Sequence, residues 1–188
     1  MPPHNPAPKT DFGRILEEIG GHVRQHFGKG KVASYIPALA AVPGHKFGMS
    51  LRTVGGDTWS LGDARERFSI QSMSKVFTLS LALNFEGEAL WRRVGREPSG
   101  NRFNSLVQLE YEHGIPRNPL INAGALVVCD VLVSHCDNPK QALLDYMRLL
   151  SGTPSVSFEL DVAASEAETG FNNRALTILL NGHRNIHN

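Results

Sequence analysis

Ser72 and Lys75 have the residue types and the spacing for covalent catalysis. Side chains three residues apart on a helix share one face, with Cβ atoms about 5–6 Å apart. A lysine among apolar neighbours loses solvation of its charged form, so its pKa falls and its neutral amine can accept the proton of a serine hydroxyl. The serine oxygen could then attack a carbonyl carbon, while the backbone N–H of Ser72 donates to the oxyanion.

The position of this pair in the chain matters because a Ser-x-x-Lys spacing is short enough to arise by chance. An apolar segment follows the pair and predicts a helix opening near Ser72 and buried on almost every side, with Val76, Leu79 and Leu83 on one face. A lysine at the start of such a helix is costly unless another group satisfies or uses it. The context therefore favours a functional lysine.

Hydrophobic periodicity predicts that further helices position this pair. Apolar stripes at helical spacing, bounded by capping residues, glycines or prolines, predict helices over 12–27, 105–111, 122–135, 139–150, 158–168 and 173–181. Asp11 is a plausible N-cap for the first of them, and Asn138 precedes a proline at the first position of another. The segment 93–104 contains two isolated glycines and a proline and predicts a structured loop.

A β-hairpin is predicted before the pair. Phe47, Met49 and Leu51 alternate with other residues, the segment 54–57 predicts a turn, and extended structure resumes over 58–61. We therefore expect an α/β (α+β) chain that is mostly helical, with an N-terminal helix and a hairpin. Residues 1–10 are predicted to form a disordered tail, 11–67 the helix and hairpin, and 68–188 a helical part.

Composition limits the classes of partner. The chain has 188 residues, 41% of them hydrophobic, and its 19 basic residues nearly balance its 18 acidic ones. No basic run predicts binding to nucleic acid or to an anionic membrane, and no signal peptide or membrane-spanning run is visible, so we expect a cytoplasmic protein. The histidines have no zinc spacing, and Cys129 and Cys136 are two helical turns apart, so we predict reduced thiols and no metal site.

Three polar residues have two interpretations each. Tyr35 is either an amphipathic ring at a surface or a hydroxyl that faces a ligand. Asn122 is either the N-cap of the helix at 122–135 or an amide that contacts a carboxylate, and sequence logic alone favours the cap. Glu166 lies on a small helix, where it is either a solvated side chain, as acidic residues on such helices usually are, or a contact to a ligand.

Four segments together resemble the serine-dependent glutaminases. They are residues 68–77, 95–100 with 103–104, 118–125 and 165–170, and the resemblance extends over residues 12–186. It implies a fold similar to those of β-lactamases, penicillin-binding proteins and transpeptidases. It also implies hydrolysis of L-glutamine to L-glutamate and ammonia without a cofactor.

The resemblance implies a role for each matched residue. Ser72 matches the nucleophile that forms a γ-glutamyl ester, and Lys75 matches its base. Pocket-lining and substrate-binding residues of the family match Tyr35, Gln71, Asn122, Glu166 and Asn173. An acid can pair with the α-ammonium of glutamine, and neutral amides can bind its α-carboxylate without repelling it. When full-length, such an enzyme is expected to be a homo-oligomer, a dimer or a tetramer.

Two departures from related patterns leave alternatives open. Ser99-Gly100-Asn101 lies in a loop that the glutaminases share and is interpreted as structural, and no Lys-Ser-Gly or Lys-Thr-Gly triad is present. The family continues beyond the point at which this chain stops, so we expect an N-terminal fragment with little or no activity of its own. The alternatives are a penicillin-interactive serine hydrolase and an inactive relative that binds an amino acid.

Overall fold

The structure is a computed structural model that describes residues 10–188. The predicted disordered tail lies outside the described residues except for Thr10. The chain divides into two compact units, Met1–Phe68 and Ser69–Asn188.

The first unit contains a helix, a short helical turn and the predicted hairpin. Its elements are α1 (Phe12–Arg24), α2 (Pro37–Ala40), β1 (Gly48–Arg52) and β2 (Thr58–Gly62). The strands are antiparallel, with Met49 opposite Leu61. The ring of Phe12 packs against Trp59 of β2 at a centroid distance of 5.1 Å. The hairpin prediction is confirmed.

The first helix has the predicted cap but ends before the predicted residue 27. The carboxylate of Asp11 accepts a hydrogen bond of 3.1 Å from the backbone N–H of Arg14, which makes it the N-cap. Beyond Arg24 the backbone bonds tighten to i→i−3, as in Phe27 N to Arg24 O. This winding turns Phe27 towards Phe47, and the two rings meet edge-on at 6.0 Å.

The second unit is helical. A 3₁₀ turn at Gln71–Met73 leads directly into α3, and a second 3₁₀ segment at Gly87–Arg92 follows it. The α-helices are α3 (Ser74–Glu86), α4 (Leu106–Tyr111), α5 (Asn122–His135), α6 (Pro139–Ser151), α7 (Leu160–Thr169) and α8 (Phe171–Gly182). The predicted cap of α6 is confirmed, since Asn138 Oδ1 accepts a 3.0 Å hydrogen bond from Gln141 N.

Helix α5 lies at the centre of this unit because it contributes to two apolar clusters. The first cluster joins α5 to α3 and to the segment after it, and consists of Ala82, Leu90, Val94, Val128, Val131 and Leu132. The second joins α5 to α4 and α8, and consists of Leu109, Ala123, Val127, Leu176, Leu180 and Ile186. A helix packed on both sides holds its first residue, Asn122, in a fixed place.

Helical structure opens near Ser72 as predicted, in the 3₁₀ turn that leads into α3 at Ser74. The expected burial of α3 is wrong. The helix is not buried nearly all round, because Val76 is 54% exposed and the buried residues are Thr78 and Ala82. The small side chain of Ala82 lets α3 pack closely in the first cluster, and a preference of this kind for small contact residues is invisible to a hydrophobicity pattern.

The last two helices start at other residues than predicted. Helix α7 begins at Leu160 and not at Phe158, and α8 begins at Phe171 and not at Asn173. Asn173 therefore lies in the first turn of α8.

Both cysteines are free, as predicted. Among residues 10–188, none of the helices is long and apolar enough to cross a membrane.

Candidate active site

Lys75 joins polar groups from separate segments of the second unit. Its Nζ donates a hydrogen bond of 2.7 Å to Oδ1 of Asn122 and one of 3.0 Å to the carbonyl oxygen of Leu120. The centroid of the Phe103 ring lies 5.9 Å from the same nitrogen, within the range of a cation–π contact. The amine is therefore held by two oxygen atoms beside an aromatic face.

Burial lowers the pKa of Lys75 from the ordinary lysine value of 10.5. The charges of Cys129 and Glu166 act in the opposite direction and offset only part of this effect. Desolvation disfavours the ammonium, so the fraction of neutral amine near neutral pH is larger than in a solvated lysine. Lys75 thus has the property required of a general base.

Ser72 lies one turn before Lys75, in a strained segment. Gln71, the residue before it, has φ of +47°, and its Nε2 donates a 2.7 Å hydrogen bond to Oγ of Ser69. A residue other than glycine in the left-handed region costs free energy, and such residues cluster at functional sites. Among the described residues the hydroxyl of Ser72 has no hydrogen-bond partner, and no hydrogen bond joins it to the Lys75 amine. The exposed hydroxyl is free to meet a substrate.

Asn122 is the first residue of α5 and does not cap that helix, so the interpretation favoured by sequence logic alone is wrong. Ile121 occupies the N-cap position, and the backbone N–H of Asn122 donates to the carbonyl of Phe103 at 2.8 Å. The side-chain amide is thereby left for other partners. Its Oδ1 accepts from Lys75, and its Nδ2 donates to Oδ1 of Asn173 at 3.0 Å.

The structure therefore joins three of the predicted site residues by direct contact. Lys75, Asn122 and Asn173 form a continuous chain of hydrogen bonds. Glu166 lies on α7 with an exposed side chain, close enough for its charge to raise the pKa of Lys75. Tyr35 belongs to the first unit, where it is 72% exposed, and its role at the site remains a prediction.

The metal-ligating residue types do not converge in the described part of the chain. Among residues 10–188, no group of three or more histidine, cysteine, aspartate or glutamate side chains could hold a metal ion. The chemistry that this site can support is that of a hydroxyl, an amine of lowered pKa, amides and a carboxylate. These groups suit acyl transfer through a serine ester.

The sequence model of the Glutaminase family matches residues 30–188. This chain belongs to the glutaminase family. It is 54% identical over 178 residues to a glutaminase of Saccharophagus degradans and 52% identical over 174 residues to glutaminase 2 of Escherichia coli K12. These matches cover 95% and 92% of this chain but only 58% and 56% of the relatives, so the chain spans a little over half of their length.

Solved structures of glutaminases share the fold of this glutaminase-family chain, which is of the β-lactamase-like class. The probable glutaminase ybaS superposes with a TM-score of 0.84 at 34% identity, over 94% of this chain and 58% of its own. A probable glutaminase from Bacillus subtilis, complexed with 6-diazo-5-oxo-L-norleucine, gives a TM-score of 0.79 at 27% identity, over 97% of this chain and 55% of its own. The predicted fold class is confirmed.

Sequence reasoning missed several groups of this candidate site. The carbonyl of Leu120 is a backbone acceptor, and no residue type announces such a role. Phe103 and Asn118 lie in two of the segments that carry the family resemblance, but their spacing to Lys75 has no recognisable period. Cys129 lies two helical turns after Asn122 and so shares its face of α5. This spacing was the one local signal that could have placed Cys129 near the site.

Proposed function

We propose that this chain carries the Ser72 and Lys75 side of an enzyme that hydrolyses L-glutamine to L-glutamate and ammonia through a serine acyl-enzyme. The observation that carries the proposal is the Lys75 amine, which burial makes less basic and which Leu120 O and Asn122 Oδ1 hold in place. Family membership supplies the substrate, since the relatives matched over nearly the whole chain are glutaminases.

The valence of the amine explains how Lys75 would act as a base. A neutral amine has two N–H donors and one lone pair. Both donors are used by the contacts with Leu120 and Asn122, so the lone pair remains to accept the proton of the Ser72 hydroxyl. The two side chains are three residues apart, and the proton transfer would require a change of side-chain rotamer that brings Oγ against Nζ.

The reaction would proceed in two steps of acyl transfer. As Lys75 takes its proton, Ser72 Oγ attacks the side-chain amide carbon of glutamine, and the backbone N–H of Ser72 stabilises the oxyanion. The carbon–nitrogen bond breaks, and Lys75 returns the proton to the departing ammonia. A water molecule then gives a proton to Lys75 and attacks the γ-glutamyl ester. The ester carbon–oxygen bond breaks, glutamate leaves, and Lys75 returns the proton to Ser72 Oγ.

The remaining polar groups would bind the ends of the substrate. Glu166 would pair with the α-ammonium, and the amides of Asn122 and Asn173 would bind the α-carboxylate. In the free chain Nδ2 of Asn122 donates to Asn173, and the carboxylate would take over this donor. The family resemblance gives Gln71 and Tyr35 a role in substrate binding as well. A neighbouring structure, Mglu, was solved in its glutamate form, which supports an amino-acid ligand for this fold.

The test compares two proteins because the relatives are longer than this chain. One is the 188-residue chain, and the other is a chimera in which the rest of the Saccharophagus degradans glutaminase follows it. We expect the chimera to release ammonia from glutamine and the 188-residue chain to release little or none. Equal turnover by the two would contradict the expected dependence on the longer chain, and no ammonia from the chimera would refute the function.

Matched serine variants of the chimera test the nucleophile. Ser72→Ala should abolish ammonia release, whereas Ser80→Ala, in the exposed side of α3, should leave it unchanged, because the Ser80 hydroxyl only bonds to Val76 O. Mass spectrometry after 6-diazo-5-oxo-L-norleucine should find a covalent adduct on Ser72. Acylation of Ser72 by a labelled penicillin, without ammonia from glutamine, would instead favour the penicillin-interactive alternative.

Two broader properties belong to the same proposal. We expect the full-length enzyme to be a cytoplasmic homo-oligomer, a dimer or a tetramer, that requires no cofactor. Sedimentation of the chimera would measure the oligomeric state, and a purely monomeric protein with full activity would contradict it. Activity that survives exhaustive dialysis against a chelator would support the absence of a metal requirement.

A further inference from the structure

We infer that Asn118 is a positioning residue of this site: its side-chain amide fixes the Leu120 carbonyl and the start of α5, and thereby both oxygen atoms that hold the Lys75 amine. The inference rests on the proposed function for the role of Lys75. The placement of the amine, however, can be measured without any activity.

The contacts of Asn118 lie on both sides of its amide. Oδ1 accepts hydrogen bonds from the backbone N–H groups of Leu120, at 3.0 Å, and Ile121, at 3.1 Å. Nδ2 donates to the carbonyl of Glu97 at 2.8 Å, in the loop before α4. The side chain therefore fixes two consecutive peptide units and ties them to a second segment of the chain.

The geometry of a peptide unit links these bonds to Lys75. In a trans peptide the carbonyl and the N–H point in opposite directions. The N–H of Ile121 is directed at Asn118, so the carbonyl of Leu120, in the same peptide, faces away from Asn118 and accepts from Lys75 Nζ at 3.0 Å. The next residue, Asn122, supplies the second acceptor. One side chain thus sets the direction of the first acceptor and holds the peptide units next to the residue that supplies the second.

The backbone of Asn118 is fixed as well. A Cβ added to Gly124, in the first turn of α5, would lie 1.9 Å from the carbonyl oxygen of Asn118. Only glycine permits this close approach between α5 and the segment before it. Pro119 also restricts Asn118 to extended conformations. Asn118 therefore has no freedom to move while its side-chain bonds are intact.

The test compares Asn118→Ala with Asn138→Ala in the 188-residue chain. Each variant removes a side-chain acceptor at a helix start, since Asn138 caps α6 away from Lys75. Both should lower Tm by about 2–4 °C, the usual effect of one lost cap in a chain of this size. For NMR the lysines are labelled with ¹³C at Cε, and the signal that is missing in Lys75→Arg is assigned to Lys75. This signal should shift in Asn118→Ala and should keep its position in Asn138→Ala.

Kinetics of the same variants in the chimera give the second measurement. We expect kcat to fall about 100-fold in Asn118→Ala and to change less than about twofold in Asn138→Ala, because displacement of a catalytic group by an ångström has an effect of that size. Asn118→Ser keeps a neutral side-chain acceptor for the N–H groups that follow it and loses the bond to Glu97, without adding a charge. It should retain the Lys75 signal and recover kcat to within about tenfold of the parent.

The outcomes separate this inference from the proposed function. An unshifted Lys75 signal in Asn118→Ala overturns the inference, whatever the activity. If the Lys75 signal shifts in Asn118→Ala but the unsubstituted chimera releases no ammonia, the positioning role is supported and the proposed function is refuted. If Asn118→Ala does not fold, Asn118→Ser decides: a displaced Lys75 signal in that variant, which keeps a neutral acceptor, overturns the inference.

Discussion

Lys75 Nζ lies 2.7 Å from Oδ1 of Asn122, a residue 47 positions later in the chain. This bond connects the first turn of α3 with the first residue of α5, the helix between the two apolar clusters. The packing of two helices thus places a polar contact on which the proposed chemistry depends.

The pH dependence of activity should reflect the amine of Lys75. Burial lowers the pKa of this group below 10.5, and the proposed base acts in its neutral form. Activity should therefore be lost as the pH falls through that lowered pKa and should rise with pH up to a plateau. The measurement is kcat/KM of the chimera for glutamine across pH. NMR titration of the Lys75 ε-carbon should give the same midpoint, and a midpoint of 10.5 would contradict the prediction.

Asn122→Asp should move this pH profile upward. The new carboxylate would lie where Oδ1 now contacts the amine, and an adjacent negative charge raises the pKa of a lysine. At neutral pH kcat/KM should fall at least about tenfold, with partial recovery in alkaline buffer. Asn181→Asp, an equal charge change in an exposed position of α8, should leave the profile in place. Loss of activity without any shift of the midpoint would argue against a titrating Lys75.

The local elements of this chain could be predicted from sequence. The hairpin follows from alternating residues around a turn, and the start of α6 from Asn138 next to Pro139, since these signals involve neighbours in the chain. The burial of α3 could not be predicted, because it depends on what packs against each face. Val76 is apolar and exposed, while Thr78 is polar and buried.

In the candidate site, too, only the residues that are close together in the sequence could be predicted from their spacing. Ser72 and Lys75 are recognisable because their spacing is local. The partners of Lys75 come from distant segments, and only the family resemblance pointed to Asn122 and Asn173. Capping logic assigned the wrong role to Asn122, because the peptide units before it are satisfied by Asn118, four residues earlier. A backbone acceptor such as Leu120 O has no signature in the residue type.

Gly124→Ala should destabilise the chain, although most glycine-to-alanine changes within helices are stabilising. The added methyl group would lie 1.9 Å from the backbone oxygen of Asn118 and 2.8 Å from Cα of Pro119, and overpacking of this kind costs about 1–3 kcal/mol or more. The control is Gly21→Ala in α1, where an added Cβ would meet no described atom within 4 Å outside its chain neighbours and its own helix backbone, and a gain of about 0.5–1 kcal/mol is expected. Urea unfolding measures both, and changes of the same sign would contradict the close approach.

Asp130→Asn tests a second polar contact of α5, which joins its buried carboxylate to Arg93. The carboxylate, 3% exposed, accepts from Arg93 Nη2 at 2.5 Å and from the backbone N–H groups of His187 and Asn188, each at 2.9 Å. Burial raises the pKa of Asp130, but these hydrogen bonds outweigh burial and hold the pKa below its usual value of 3.8. Nε of Arg93 is already buried without a partner among the described residues, so the variant leaves a poorly compensated cation.

The sign of the pH effect follows from that lowered pKa. The carboxylate stabilises the fold above pH 3.8, and this contribution disappears as the pH falls through the lower pKa of the folded state. Asp130→Asn should therefore reduce the free energy of unfolding by about 3 kcal/mol at neutral pH, with a difference from the parent that shrinks in acid. Asp145→Asn, an exposed change in α6, should cost less than about 0.5 kcal/mol. Urea unfolding at several pH values is the measurement, and a difference independent of pH would mean that Asp130 acts by packing and not by charge.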